Sequence, residues 1–211
     1  KKSNKINLYK ESIDLLNKIQ KIKKNKTKNF KGKNYKIPIY GNSELFAETK
    51  LFSVWYAKKF IPKKKRLKFN IEIKKQIRFL LSKLKLRNNI FVHRDFHVSN
   101  LMKYKKQLAI IDTQDALIGN RAYDLASLID DVRYKSKKRF KDNIYDYYLK
   151  LNKKFTNEDF LLNDFEILSV LRNMKIIGIF TRLAVRDKKK KYLKFIPYTW
   201  KLIELRIKNN K

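Results

Sequence analysis

"HRDFHVSN", residues 93–100, is the stretch on which the reading of this chain turns. It holds both histidines of the 211-residue sequence, an aspartate between them at Asp95, and an asparagine, Asn100, five places after that aspartate. The short β-type run "IFV" leads into it, and "LMKYKKQLAIID" follows, reading as two short strands around a polar turn. A loop between strand ends can carry Asp95 and Asn100 on one side while the returning strand delivers Asp112 beside them. Mg²⁺ bound with a nucleotide takes one or two oxygen ligands from protein and the rest from water and phosphate, so Asn100 and Asp112 suffice for the metal. Asp95 is then left to accept a proton.

Composition bounds the alternatives. At 25.6 kDa with 43% hydrophobic residues the chain can build a core, and no cysteine is present to form a disulfide or a thiolate metal site. Its longest apolar stretches, such as "IIGIF" at residues 176–180, are far shorter than the roughly 20 residues of a membrane span. The basic opening "KKSNKINLYK" has no apolar stretch behind it and does not read as a secretory signal. These features predict a protein of the cytoplasm with no membrane partner. The formal charge of +35 invites a nucleic-acid reading. But 43 of the 54 basic residues are lysine, and with 19 Asn, 23 Ile and only 7 Ala the bias is that of a sequence rich in A/T-type codons. Arginine, the residue suited to bidentate phosphate and base contacts, is not enriched, so nucleic acid is not the expected partner.

Along the chain, Leu8, Leu15, Leu16, Ile19 and Ile22 predict an amphipathic first helix, and residues 25–36 read as a loop. A second helix opens near Ser43 and stops at Pro62; "KKKRLK", residues 63–68, reads as a solvated linker before a third helix marked by Ile73, Ile77, Leu80, Leu81 and Leu84. After the strands, "AYDLASLIDDVR" and "RFKDNIYDYYLKL" are helical, and a long helix starts near Thr156. With no repeat and no linker strong enough to divide it, the chain reads as one mostly helical unit, residues 1–211, with a small β insertion.

The spacing H-R-D-x-x-x-x-N is that of the protein-kinase catalytic loop, whose Asp takes the substrate hydroxyl proton and whose Asn holds metal. The rest departs from protein kinases: "TQDA" follows Asp112 where Phe-Gly belongs, no A-P-E triplet occurs, and His97 stands where a catalytic-loop lysine is usual. The chain instead resembles the aminoglycoside phosphotransferase and choline kinase superfamily, whose pattern is H-G-D-x-H-x-x-N, then a strand ending I-D-x, then a Y-D-L-A helix start; here these are "HRDFHVSN", "AIIDTQDA" and "AYDLASL". Within it, the nearer likeness is to the cell-wall-recycling kinases that phosphorylate N-acetylmuramate and N-acetylglucosamine at the anomeric hydroxyl. "VHRDFHVSNLM", "IIDTQDALIGNRAYDLASLIDD", "LRNMKIIGIFTRLAVRDKKKKYL" and "ELFAETKLFSVWYAKKF" carry that likeness.

The resemblance implies an α+β, protein-kinase-like fold: a mostly helical C-terminal lobe with a small β hairpin. It implies ATP as phosphate donor, Mg²⁺, Asp95 as catalytic base and Asn100 and Asp112 as metal ligands. His93, Arg94 and Asp124 would support the loop, and His97, Gln114 and Asp115 are candidate substrate contacts, His97 equally a loop-orienting group. Arg182 and Arg186, four apart on a predicted helix, read as a surface ladder, and Asp130 with Asp131 is a candidate for an acidic pocket. The superfamily's N-terminal lobe, with its phosphate-covering loop and lysine, has no counterpart in these residues. The expected partners are therefore that lobe, a nucleotide and a small sugar, and the chain alone is expected to transfer phosphate hardly at all.

Overall fold

The computed structural model describes residues 2–23, 25–28, 31–105 and 107–208, with the side chains of residues 2–4 excepted. Residues 29 and 30 of the expected loop, and residue 106 of the turn between the two expected strands, lie outside the described residues. The chain divides into two compact units, one of residues 1–41 with 85–165 and one of residues 42–84 with 166–211.

In the first unit, helix α1 (Lys2–Gln20) buries Ile13 and Leu16 completely. Strands β1 (Lys26–Lys28) and β2 (Asn34–Lys36) form an antiparallel pair where a loop was expected. Each is three residues long with every side chain exposed, so no alternation of apolar and polar residues marks them. The second unit begins with α2 (Asn42–Thr49), a π-helical segment at Phe52–Ala57 and the short α3 (Lys58–Phe60). Thr49 Oγ1 donates back to the Leu45 carbonyl at 2.7 Å and Ser53 Oγ to the Lys50 carbonyl at 3.0 Å. Such back-bonding competes with the regular ladder and bends helices. The charge run at residues 63–68 is not a linker: it forms the opening of α4 (Lys63–Ser82), which starts directly after Pro62. Lysine and arginine are good helix formers, and exposure of the run selects solvation without preventing helix.

Back in the first unit, β3 (Asn88–Val92) leads to the loop at residues 93–100, and β4 (Leu101–Tyr104) pairs with β5 (Gln107–Ile110) as the sequence predicts. A strand that the sequence reading lacked, β6 (Leu117–Asn120), runs antiparallel to β3 with Val92 opposite Leu117. Gly119 makes room there, since a Cβ would sit 3.1 Å from Val92 and 3.2 Å from Tyr40 side-chain atoms. Helix α5 (Ala122–Ile129) has every residue buried, and α6 (Lys138–Asn152) packs on α1. Helix α5 is shorter than expected: it ends at Ile129 with Asp130 as its C-cap, so "DDVR" lies outside it. The long α7 (Glu158–Val185) follows, its residues from 166 onward belonging to the second unit, as does α8 (Ile196–Ile207). The second unit's core includes Phe52, Ala57, Ile77, Leu168, Ile177 and Leu202. The architecture is thus α+β, predominantly helical with small antiparallel sheets, and no helix among the described residues is long and apolar enough to cross a membrane.

Candidate active site

The loop after β3 is wrapped around the backbone of Asp95. The Asp95 carbonyl accepts from the His97 amide at 3.0 Å and from Asn100 Nδ2 at 3.0 Å, and the Asn100 amide donates to the His97 carbonyl at 2.9 Å. Because the Asn100 amino group is spent on Asp95, its amide oxygen is the end left to serve as a ligand. His97 is 6% exposed, its side chain inside the fold.

Two contacts bind this loop to the segment carrying Asp112. The Ile111 amide donates to the Asn100 carbonyl at 3.1 Å, and His93 Nε2 lies 3.1 Å from the Ile111 carbonyl. With a carbonyl as partner, Nε2 carries the proton, so His93 is the Nε2–H tautomer. Burial lowers the His93 pKa from its ordinary 6.5; the Ile111 carbonyl and the charges of Asp95 and Asp112 oppose that shift without reversing it.

Beneath the loop, the buried Asp124 carboxylate of α5 accepts from two consecutive amides, His93 N at 2.7 Å and Arg94 N at 3.0 Å. Strand β6 sets that position by delivering α5 alongside β3. Arg94 adopts φ 73° and Asp112 φ 68°, the left-handed region that a side chain with a Cβ rarely enters. Strained residues of this kind cluster where a surrounding structure over-determines them, as at active sites. Asp112 is exposed and accepts a hydrogen bond from Gln114 Nε2; Asp115 is also exposed, and its carbonyl accepts from the Arg94 guanidinium at 3.1 Å.

The nine residues proposed for the site, 93–95, 97, 100, 112, 114, 115 and 124, thus fall in one region of the first unit. Sequence reading missed its supports. Asp164 is fully buried and accepts from the Lys85 and Leu86 amides, both at 2.8 Å, and from Asn120 Nδ2 at 2.6 Å. Tyr40, 1% exposed, donates to the Tyr123 hydroxyl at 3.0 Å. The only signal for Asp164 was an acidic residue on the apolar side of a helix. The pair Asp130 and Asp131 is no open acidic pocket: both are buried, Asp130 against Lys141 Nζ at 2.9 Å and Asp131 against the Arg133 amide at 3.0 Å. Arg186 bonds its neighbour Asp187 at 2.6 and 3.2 Å.

The chemistry of the donor set, one amide oxygen from Asn100 and one carboxylate from Asp112, suits a hard cation, although among the described residues no group of three or more His, Cys, Asp or Glu side chains gathers to hold a metal, here or elsewhere. An ion held by this pair needs further oxygens from water and phosphate, as Mg²⁺ does.

Comparison with known proteins gives the family of the chain. An N-acetylmuramate/N-acetylglucosamine kinase of Neisseria meningitidis serogroup B is 32% identical over 166 residues, covering 76% of this chain and 50% of that protein. One of Pseudomonas aeruginosa is 30% identical over 176 residues, covering 80% and 51%. The chain spans about half the length of these curated relatives. An ethanolamine kinase of Plasmodium vivax superposes with a TM-score of 0.60 at 16% identity, over 96% of this chain and 60% of that one, so the kinase-like fold is shared. The model of the phosphotransferase enzyme family matches residues 8–160, which include β3, the 93–100 loop, Asp112 and α5. The chain belongs to the phosphotransferase enzyme family.

Proposed function

We propose that the protein transfers the γ-phosphoryl group of ATP to a hydroxyl of a small sugar, and that the acceptor is the anomeric hydroxyl of N-acetylmuramate or N-acetylglucosamine. The observation that carries the reading is the tie of Ile111 to both His93 and Asn100, which sets Asp112 beside the loop of Asp95. Asp95 takes the proton of the attacking hydroxyl, and its orientation is kept by the two bonds on its own carbonyl. Asn100 and Asp112 would hold Mg²⁺, which supplies charge neutralisation for the phosphates when bound. In this reading His93 and Asp124 fix the loop and the buried His97 orients it, while Gln114 and Asp115, both exposed, are the sugar contacts.

Three observations favour an N-acetylated sugar over a polycationic antibiotic. The relatives named above are kinases of that sugar class. The sequence carries 19 acidic residues against 54 basic, a poor field for a polycation. Asp130 and Asp131, the acidic pair considered for a pocket, are buried, with Asp130 against Lys141. With ATP as donor, this reading assigns the reaction to the cytoplasm. The test is an acceptor panel on the full-length protein with ATP and Mg²⁺. Phosphate on the anomeric oxygen of N-acetylmuramate or N-acetylglucosamine is expected; preference for kanamycin-type amines, or for choline, rejects the substrate assignment.

A further inference from the structure

Arg94 occupies a backbone conformation, φ 73°, that glycine adopts freely and that arginine does not. A residue whose only duty was to turn the chain there would be better as glycine, so its side chain is the place to look for a reason. The guanidinium NH1 donates to the Asp115 carbonyl at 3.1 Å, and the group lies 5.0 Å over the ring of Tyr40. That ring is a fixed platform. Tyr40 is held by its hydroxyl on Tyr123, by its amide on the Ile118 carbonyl at 2.7 Å, and by edge contact with the Tyr123 ring at 4.9 Å. The far end of the clasp is different. Thr113, Gln114 and Asp115 are all exposed, and the turn they form is closed by the Ala116 amide on the Thr113 carbonyl at 3.2 Å. No apolar side chain among those three packs it down.

We infer that Arg94 is a positioning residue: it clasps the 113–116 turn to the rigid Tyr40 platform and so keeps Asp112 and Gln114 in place beside Asp95 and Asn100. The catalytic meaning of this clasp rests on the function proposed above; the clasp itself does not. Planar stacking on an aromatic ring together with a directed N–H donor is a combination that the guanidinium supplies and an ammonium does not.

The test compares R94G and R94A with the wild-type chain by amide hydrogen exchange at Ala116, thermal melting, and binding of Mn²⁺, a paramagnetic stand-in for Mg²⁺, in the presence of ATP. Loss of a hydrogen bond from a charged donor predicts Ala116 exchange faster by roughly tenfold in both variants. R94G should nonetheless melt at or above the wild-type temperature because the backbone strain is gone, whereas R94A keeps the strain and should melt lower. If Arg94 were only a structural support, Ala116 protection would follow the melting temperature and stay at the wild-type level in R94G, and that result overturns the clasp. Mn²⁺ affinity should fall several-fold in both variants. A wild-type chain that binds no Mn²⁺ with ATP refutes the metal assignment of Asn100 and Asp112, while the exchange comparison still decides the clasp.

Discussion

The Asp124 carboxylate receives the backbone amide of His93 at 2.7 Å, and with its other oxygen the amide of Arg94 at 3.0 Å. One side chain at 0% exposure therefore fixes the two residues immediately before Asp95. A carboxylate serving paired amides is a stronger fastening than a neutral acceptor, since hydrogen bonds to a charged group contribute about 1.5–3 kcal/mol each.

Replacing Asp124 by Asn leaves one acceptor and turns an amino group towards a backbone N–H. The variant should lose about 2–4 kcal/mol of stability, read as a lower midpoint of urea unfolding. A midpoint within error of wild type would show that the loop does not depend on this carboxylate.

His93 gives a pH signature. Burial holds its folded pKa below 6.5, so the unfolded chain binds the extra proton first as pH falls. Its contribution is fully present above the ordinary pKa of 6.5 and is lost progressively as pH drops below it. H93Q cannot titrate, so its stability should change less between pH 7 and pH 5 than that of the wild type. Parallel stability curves for the two proteins over that range would contradict the assignment of a neutral, buried imidazole.

Asp95 and Asp112 should separate kinetically in the full-length protein. D95N should lower kcat by about 10² to 10⁴ with nucleotide affinity nearly unchanged, the worth of a positioned general base. D112A should weaken Mg²⁺-nucleotide binding, because the ion loses its charged ligand. Equal effects of both substitutions on nucleotide affinity would remove the distinction.

Gly178 makes a close approach within the second unit. A Cβ there would come within 2.6 Å of both the Leu51 carbonyl oxygen and the Phe52 amide nitrogen, and backbone atoms cannot swing aside as a side-chain tip can. G178A should therefore destabilise the chain by about 2 kcal/mol or more, against the gain that Gly→Ala gives an unconstrained helix. Calorimetry showing a stabilised variant would mean that α7 and the π-helical segment are freer to separate than this packing allows.

The sequence by itself picked out the candidate residues and the order of most elements. Asp95, Asn100 and Asp112 could be singled out because reactive polar residues at loop and strand ends are local signals, and β4, β5, α6 and α7 could be placed because runs of apolar residues report their own period. Short exposed strands carry no such period, so β1 and β2 read as loop, and the helical start of α4 was hidden under charge. Tertiary structure alone decided what holds the site. The pairing of β3 with β6 brings Asp124, thirty-one residues downstream, under His93, and Asp164 is drawn inward by amides at residues 85 and 86. Those partners are distant in sequence, and a carboxylate buried by unpaired backbone donors looks, in one dimension, the same as a carboxylate in water.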